Sequence, residues 1–417
     1  MAANKLKVIP DILEEHFEEL AFLWGRRREA LYSPEYTLPE LLELEERIEA
    51  HVQGLLVGAE HTIPFVEDGL SQDEPLEVFA AAYTLLRLNI DFAARQVMDA
   101  FLQAEGKQLD GIREALCHGP IDMVMARLHE AVTSAPAPIA AAAAEALAFH
   151  GKLDPGIPRL TKFSQDKNAK VRRAAWRLIM LIPVPGLLSP DVTAQLSDAA
   201  MHDEDPAVKA EALQAAAWTL QPWLLEHCRK LCDQPHPDNA DAILLLAVLG
   251  KPFDLELILR VARAAELGPL RFRVLGTFGH PGVVETLLEA MQSKDPLAAA
   301  AAGAAFTKIT GADIESDRKV HVPPEDGSEP DEFEQEFLDE VTLPDPASAR
   351  AHWEKVKAEF SSGTRWCHGL NLGRDTAHEF PALLDIESRL HAFLRGRFEA
   401  TWHGSLIDFE VFPQERP

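Results

Sequence analysis

Apolar residues in this chain recur at steps of three and four, the mark of helices buried along one stripe. Leu13, Phe17, Leu20 and Trp24 form the first stripe. Asp11 and Glu14 open it as a capping box, and Arg26, Arg27 and Arg28 close it. Thr37 with Glu40 opens a second helix, whose stripe is Leu41, Leu44, Ile48, Val52 and Leu55, and Gly58 ends it. Residues 1–65 therefore read as an N-terminal helical hairpin cap with a polar outer face.

From Pro75 a repeating phrase sets in, first as "EPLEVFAAAYTLLRL". It is clearest as "DKNAKVRRAAWRLIML" from Asp166, "DEDPAVKAEALQAAAW" from Asp203 and "SKDPLAAAAAGAAFTKITG" from Ser293. Each copy places an acidic or amide cap, usually a proline, before a helix with small residues on one face. The marks Asn168, Pro206, Pro237, Pro269 and Pro296 lie 38, 31, 32 and 27 residues apart, the period of a helix-pair repeat. Second helices sit between the phrases, from Gly119, Pro190, Pro222 and Gly279. No such pair can bury its apolar face alone, so the pairs must stack. The expected fold is all-α: an α-α superhelix of seven or eight pairs over residues 66–311, a curved right-handed rod.

Past Gly311 the pattern breaks. Residues 311–345 hold 13 acidic against 2 basic side chains, with prolines at 323, 324, 330 and 344. Residues 312–345 therefore read as an acidic linker, or a loop laid over the rod. Residues 346–417 carry Trp353, Trp366 and Trp402 and read as a C-terminal helical, aromatic-rich tail packed back on the last repeats.

The whole chain has 40 basic and 67 acidic side chains, a formal charge of −27. That argues against a nucleic-acid backbone or an anionic membrane as partner, and suits a protein partner with a basic surface. Four cysteines in 417 residues are too few for a disulfide framework, which points to a reducing compartment. Neither a secretory signal nor a membrane span is read, so a cytoplasmic location is expected.

Asp205, Pro206, Val208, Lys209 and Ala212 spell a phrase that resembles HEAT repeats, including the bilin-lyase type. Asp166, Val171, Arg172, Ala174 and Ala175 give it without the proline. "EEHFEELAFLWGRRREAL" from Glu14 and "LEERIEAHVQGLLVGAE" from Leu44 resemble the opening of an uncharacterised proteobacterial HEAT-repeat family. "ITGADI" from Ile309 and "LPDPASARAHWEKVKAEFSSGTRWCHG" from Leu343 resemble its closing segment. The resemblance implies a HEAT-like solenoid, and a role beside type VI secretion genes, near which some members are encoded. In HEAT units the position of Arg172 and Arg173 bonds to an aspartate of a neighbouring unit and serves stacking.

Candidate chemistry is sparse. His227, Cys228, Cys232 and His236 are the best metal-like group, but all lie on one helix and the turn after it, without a second knuckle. Ordinary core thiols are the alternative, and no cofactor is expected. Cys117-His118 and Cys367-His368 place thiol and imidazole on neighbouring residues, which point about 100° apart on a helix and make poor catalytic partners. Arg26, Arg27, Arg28, Arg47 and His51 form a basic group, either paired locally or docking the acidic 311–345 segment or a partner's acidic patch. Trp353, Phe360, Arg365 and Trp366 read as core anchors of the tail or as a partner hot spot.

The expected function is a non-enzymatic scaffold or adaptor that grips another protein, an effector, toxin or spike component of a type VI system. Glu226, Arg229 and Lys230 would line its groove, extended by Leu255 to Arg263. An immunity-type inhibitor or chaperone of a basic toxin is the alternative. A HEAT-fold enzyme of glycosylase or lyase type fits less well, since a DNA-facing groove needs cations and no lyase constellation shares a face.

Overall fold

The caps found in the phrases do their work in the computed structural model, which describes residues 10–58, 61–153, 159–182, 188–322, 338, 340–361, 363–372 and 384–412. Asp205 accepts hydrogen bonds from the Ala207 and Val208 backbone N–H groups at 2.9 and 3.2 Å, with Pro206 in the first turn. Asp295, Asp345, Asn168 and Ser189 cap their helices in the same way. An acceptor at this position satisfies amides that the first turn leaves orphaned, and proline costs nothing there. Thr37 and Glu40 also meet, the Thr37 N–H donating to Glu40 at 2.7 Å.

Twenty-one α-helices occur among the described residues. The opening hairpin is α1 (Pro10–Ala30) and α2 (Leu38–Gly58). Eight pairs follow: α3 (Thr62–Glu67) with α4 (Pro75–Arg87), α5 (Asp91–Phe101) with α6 (Gly106–His118), α7 (Met125–Ser134) with α8 (Ala137–Phe149), and α9 (Leu160–Phe163) with α10 (Ala169–Leu181). Then come α11 (Pro190–His202) with α12 (Pro206–Trp218), α13 (Leu224–Asp233) with α14 (Ala240–Leu249), α15 (Leu255–Val261) with α16 (Leu270–Phe278), and α17 (Val284–Ala290) with α18 (Pro296–Thr310). The chain is an all-α protein of stacked helix pairs.

It divides into two compact units. One holds the residues up to Thr219, Asp385–Glu387 and the segment from His403; the other holds Leu220–Leu384 and Ser388–Trp402. In the first unit α4, α6, α8, α10 and α12 each pack directly on the next, and α5, α7, α9 and α11 cover them. In the second, α14, α16 and α18 form the directly stacked row beneath α13, α15 and α17. Small side chains allow this close approach. Ala140 to Ala144 of α8 are all buried, and a Cβ on Gly111 of α6 would lie 2.5 Å from the Pro75 carbonyl oxygen of α4.

The stretch read as a linker contains a ribbon. Strands β1 (Glu315–His321) and β2 (Glu340–Pro344) pair antiparallel, with Val320 opposite Val341, while residues 323–337 and 339 lie outside the described ones. After the ribbon come α19 (Pro346–Val356), a two-residue pair β3 (Trp366–Cys367) and β4 (Leu370–Asn371), α20 (Ile386–Phe398) and the single turn α21 (Ile407–Glu410). No helix of the described residues is long and apolar enough to cross a membrane.

Candidate functional site

The directly stacked row of the first unit carries a ladder of paired charges. Arg113 of α6 and Arg177 of α10 both donate to one oxygen of Glu145 on α8, at 2.6 and 2.8 Å. Arg173 of α10 reaches Glu211 of α12 at 2.8 Å. Burial alone would raise the Glu145 carboxyl, but Arg113 and Arg177 outweigh it and hold it below the ordinary carboxylate range. Arg172 bonds to Asp203 at 2.7 Å, tying α10 to the turn before α12, the stacking role that its phrase implies.

Beside the ladder lies an aromatic shelf. Trp24 of α1 stacks on Phe79 of α4 at 4.0 Å between ring centres, and Phe79 stacks on Tyr83 at 5.2 Å. His118 of α6 meets Trp24 edge-on at 5.0 Å, and the Trp24 indole donates to Glu114 at 2.9 Å. Burial, then Arg27 and Arg177, hold His118 well below its usual range, so it is neutral. Neighbouring Cys117 has its thiol pushed up by burial, which removes the thiolate a nucleophile needs.

The chain's own segment His403–Phe412 lies on this face. The Glu410 carboxylate accepts from the Tyr32 hydroxyl at 2.8 Å and from Arg177, and its backbone carbonyl accepts from Arg27 at 2.7 Å. Phe412, 1% exposed, sits 6.0 Å from Trp24 and 6.5 Å from Tyr83, with the Arg27 guanidinium 5.5 Å from its ring. Glu410, then burial, push the Tyr32 phenol up, although half of the Tyr32 side chain is open.

The basic group, read as either paired locally or docking an acidic segment, is split, and Arg26 pairs with Glu29 at 3.2 Å. Arg27 is 1% exposed and donates to buried Glu45 at 2.9 Å, so it holds the core together instead of facing outward. Arg28 pairs with Glu114 at 3.4 Å. Arg26 and Arg47 line a cleft of about 260 Å³ with Phe22, Tyr36, Glu40 and Glu43. His51 meets His16, their Nδ1 atoms 3.1 Å apart.

In the second unit, Glu226, Arg229 and Lys230 lie on α13, a covering helix and not the directly stacked row. Arg229 is committed to Asp254 at 2.8 Å, with the Phe253 ring beneath it. Cys228 and Cys232 are buried, with thiols pushed up to about 12, while His236 has 61% of its side chain exposed and caps the next turn through its Nδ1. The structure does not bring these three together.

Trp353, Arg365 and Trp366 are anchors. Trp353 is buried and donates to Glu285 at 3.2 Å. Arg365 donates to the carbonyls of Ala247, Gly250 and Phe278, the orphaned acceptors at the ends of α14 and α16. Burial pushes its guanidinium down to about 9, and Arg395 adds to the shift; it is still charged at neutral pH. Trp366 donates its backbone N–H to Gly279 at 2.8 Å, and its ring lies 4.2 Å from Phe360.

Sequence reasoning missed Tyr32, Arg113, Glu145, Glu410 and Phe412. The signal for two of them was present: Arg113, Glu145 and Arg177 alternate in sign at an interval of 32, the repeat period.

A profile described as HEAT repeats matches residues 125–217, the stretch from α7 to α12, and these residues carry HEAT repeats. Among solved structures, the crystal structure of Kap121p is similar at 12% identity and a TM-score of 0.34, over 73% of this chain. A Kap121p mutant is similar at 12% identity and 0.32 over the same share. In both cases this chain spans 38% of the other's length. No match is found among curated proteins.

Proposed function

We propose that this chain is a non-enzymatic helical-repeat scaffold that binds another protein through the directly stacked row of its first unit. One observation carries the reading: a row face with paired charges and an aromatic shelf already holds a short segment, one helical turn with its flanking residues, in the manner of a ligand. Repeat stacks offer long surfaces of this kind.

The finer reading places the protein in the cytoplasm as an adaptor for an effector, toxin or spike component of a type VI secretion system. The likeness of its two ends to the proteobacterial family supports that assignment. The formal charge of −27 supports a partner whose remaining surface is basic, since opposite charge speeds and steers association. The same charge favours a second reading, an inhibitor or chaperone of a basic toxin.

Affinity capture from the native cells, with the wild-type chain and Arg177→Glu as parallel baits, tests the scaffold. A protein retained by the first and lost from the second is expected, and no specific protein on either refutes it. Co-expression with that protein, if toxic, separates the roles: rescue marks an inhibitor, and increased delivery without rescue marks an adaptor.

A further inference from the structure

The ladder has a rung that no repeat supplies. Arg113, Glu145 and Arg177 alternate in sign along α6, α8 and α10, so α12 should next offer a carboxylate. The caps Asn168 and Asp205 are 37 residues apart, which puts Gln214 at the position matching Arg177. The carboxylate comes instead from Glu410. Arginines 27, 28, 113, 173 and 177 meet Glu45, Glu114, Glu145 and Glu211, and Glu410 makes the fifth carboxylate. Without it the face holds five positive and four negative groups, 5 − 4 = +1, beside an uncovered aromatic shelf.

A rung drawn from 233 residues away, on a single helical turn, is an occupant that another chain could replace. We propose that this face is a recognition site for a linear segment of a partner that presents a glutamate two residues before a phenylalanine. The segment His403–Phe412, with Glu410 and Phe412, is the tethered resident of that site. The glutamate is recognised by Arg177 and Tyr32, the backbone carbonyl beside it by Arg27, and the phenyl ring by Trp24 and Tyr83. This rests on the reading that the chain binds protein, and names the chemistry of what is bound.

The test uses the full chain and a fluorescent peptide of residues 403–412, read by anisotropy. An occupant on a short tether has an effective concentration of roughly millimolar, so a peptide of about 10 µM affinity is excluded about 100-fold from the wild-type chain. The double variant Glu410→Ala, Phe412→Ala vacates the face and should bind the peptide about 100-fold more tightly than wild type. A Phe412→Ala peptide should bind at least about 10-fold more weakly, the factor for most of a buried phenyl group. Equal binding to both chains, or binding to neither while the variant keeps its helical circular dichroism, overturns the proposal.

Should the variant fail to fold, a protease site inserted at exposed Ala400 allows the tether to be cut in the folded wild type. The nicked chain should take up labelled peptide in exchange for its own segment. A nicked chain that neither releases nor exchanges the segment overturns the proposal, because the segment is then a fixed part of the core. A partner captured equally by wild type and Arg177→Glu would sink this inference and the placement of binding on this row, while leaving the chain a protein-binding scaffold. Peptide exchange with no partner captured would sink the scaffold and leave only an exchangeable segment.

Discussion

Replacing Glu145 by glutamine keeps the shape of the ladder's central rung and deletes its charge. Two guanidinium groups then lose their shared carboxylate, Arg113 at 2.6 Å and Arg177 at 2.8 Å. With an effective dielectric constant of about 20, each contact is worth roughly 4 kcal/mol before desolvation is subtracted. Breaking a buried pair from one side costs about 3–5 kcal/mol, because the remaining charge is stranded. Arg177 keeps Glu410, so the lower end, about 3 kcal/mol, is expected for the first unit. At about 2–4 °C per kcal/mol for a unit of this size, its melting midpoint should fall by roughly 6–12 °C. Calorimetry or urea unfolding followed by circular dichroism reads the change. Adding Arg113→Met to the glutamine variant should restore part of the loss, since a stranded cation is removed together with its cost. A drop below about 1 kcal/mol, or a further loss with Arg113→Met, would refute the argument that this ladder is desolvated and interdependent.

Three further outcomes follow from the same geometry. His118 has a depressed folded pKa, so its neutral form is favoured on folding; its contribution is intact above the unfolded value near 6.5 and is lost as pH falls below it. At pH 5.5 it should cost up to about 1.4 kcal/mol, and His118→Phe should flatten the fall in melting temperature between pH 7.5 and 5.5. Asp205→Ala removes a cap that accepts two amides and should cost about 1 kcal/mol by urea unfolding, with Asp205→Asn close to wild type. Arg365→Met strands carbonyls of α14 and α16 in the second unit, and faster amide hydrogen exchange is expected near Ala247 and Phe278, while Arg365→Lys recovers only part of the protection.

The repeat helices were legible because local chemistry marks them: a capping acceptor and small residues announce α10, α12 and α18, with a proline in the first turn of the latter two. The Arg113–Glu145–Arg177 alternation was also written in the chain, at the period of the repeat itself. What escaped notice depends on distant partners. Arg27 stands among three arginines at a helix end; Glu45 on α2, the carbonyl of Glu410, 383 residues on, and the Phe412 ring are distant partners that its burial rests on. The tail was expected on the last repeats. Trp353 and Trp366 do pack near α17 and α16, but Phe412 settles against α1 and α4. Strand β1, "ESDRKVH", carries a polar pattern that backbone pairing with β2 tolerates and side-chain periodicity cannot reveal.

The central claim is that the stacked row of the first unit is the face that grips a partner. Photo-crosslinking in native cells tests it most directly, with benzoylphenylalanine placed at half-open Tyr32 beside the row or at exposed Met123, in the turn between α6 and α7. A single protein joined to the chain from position 32, not from 123, and lost when Arg177→Glu is added, is the predicted result. Adducts from 123 alone, or from neither position, would contradict the account.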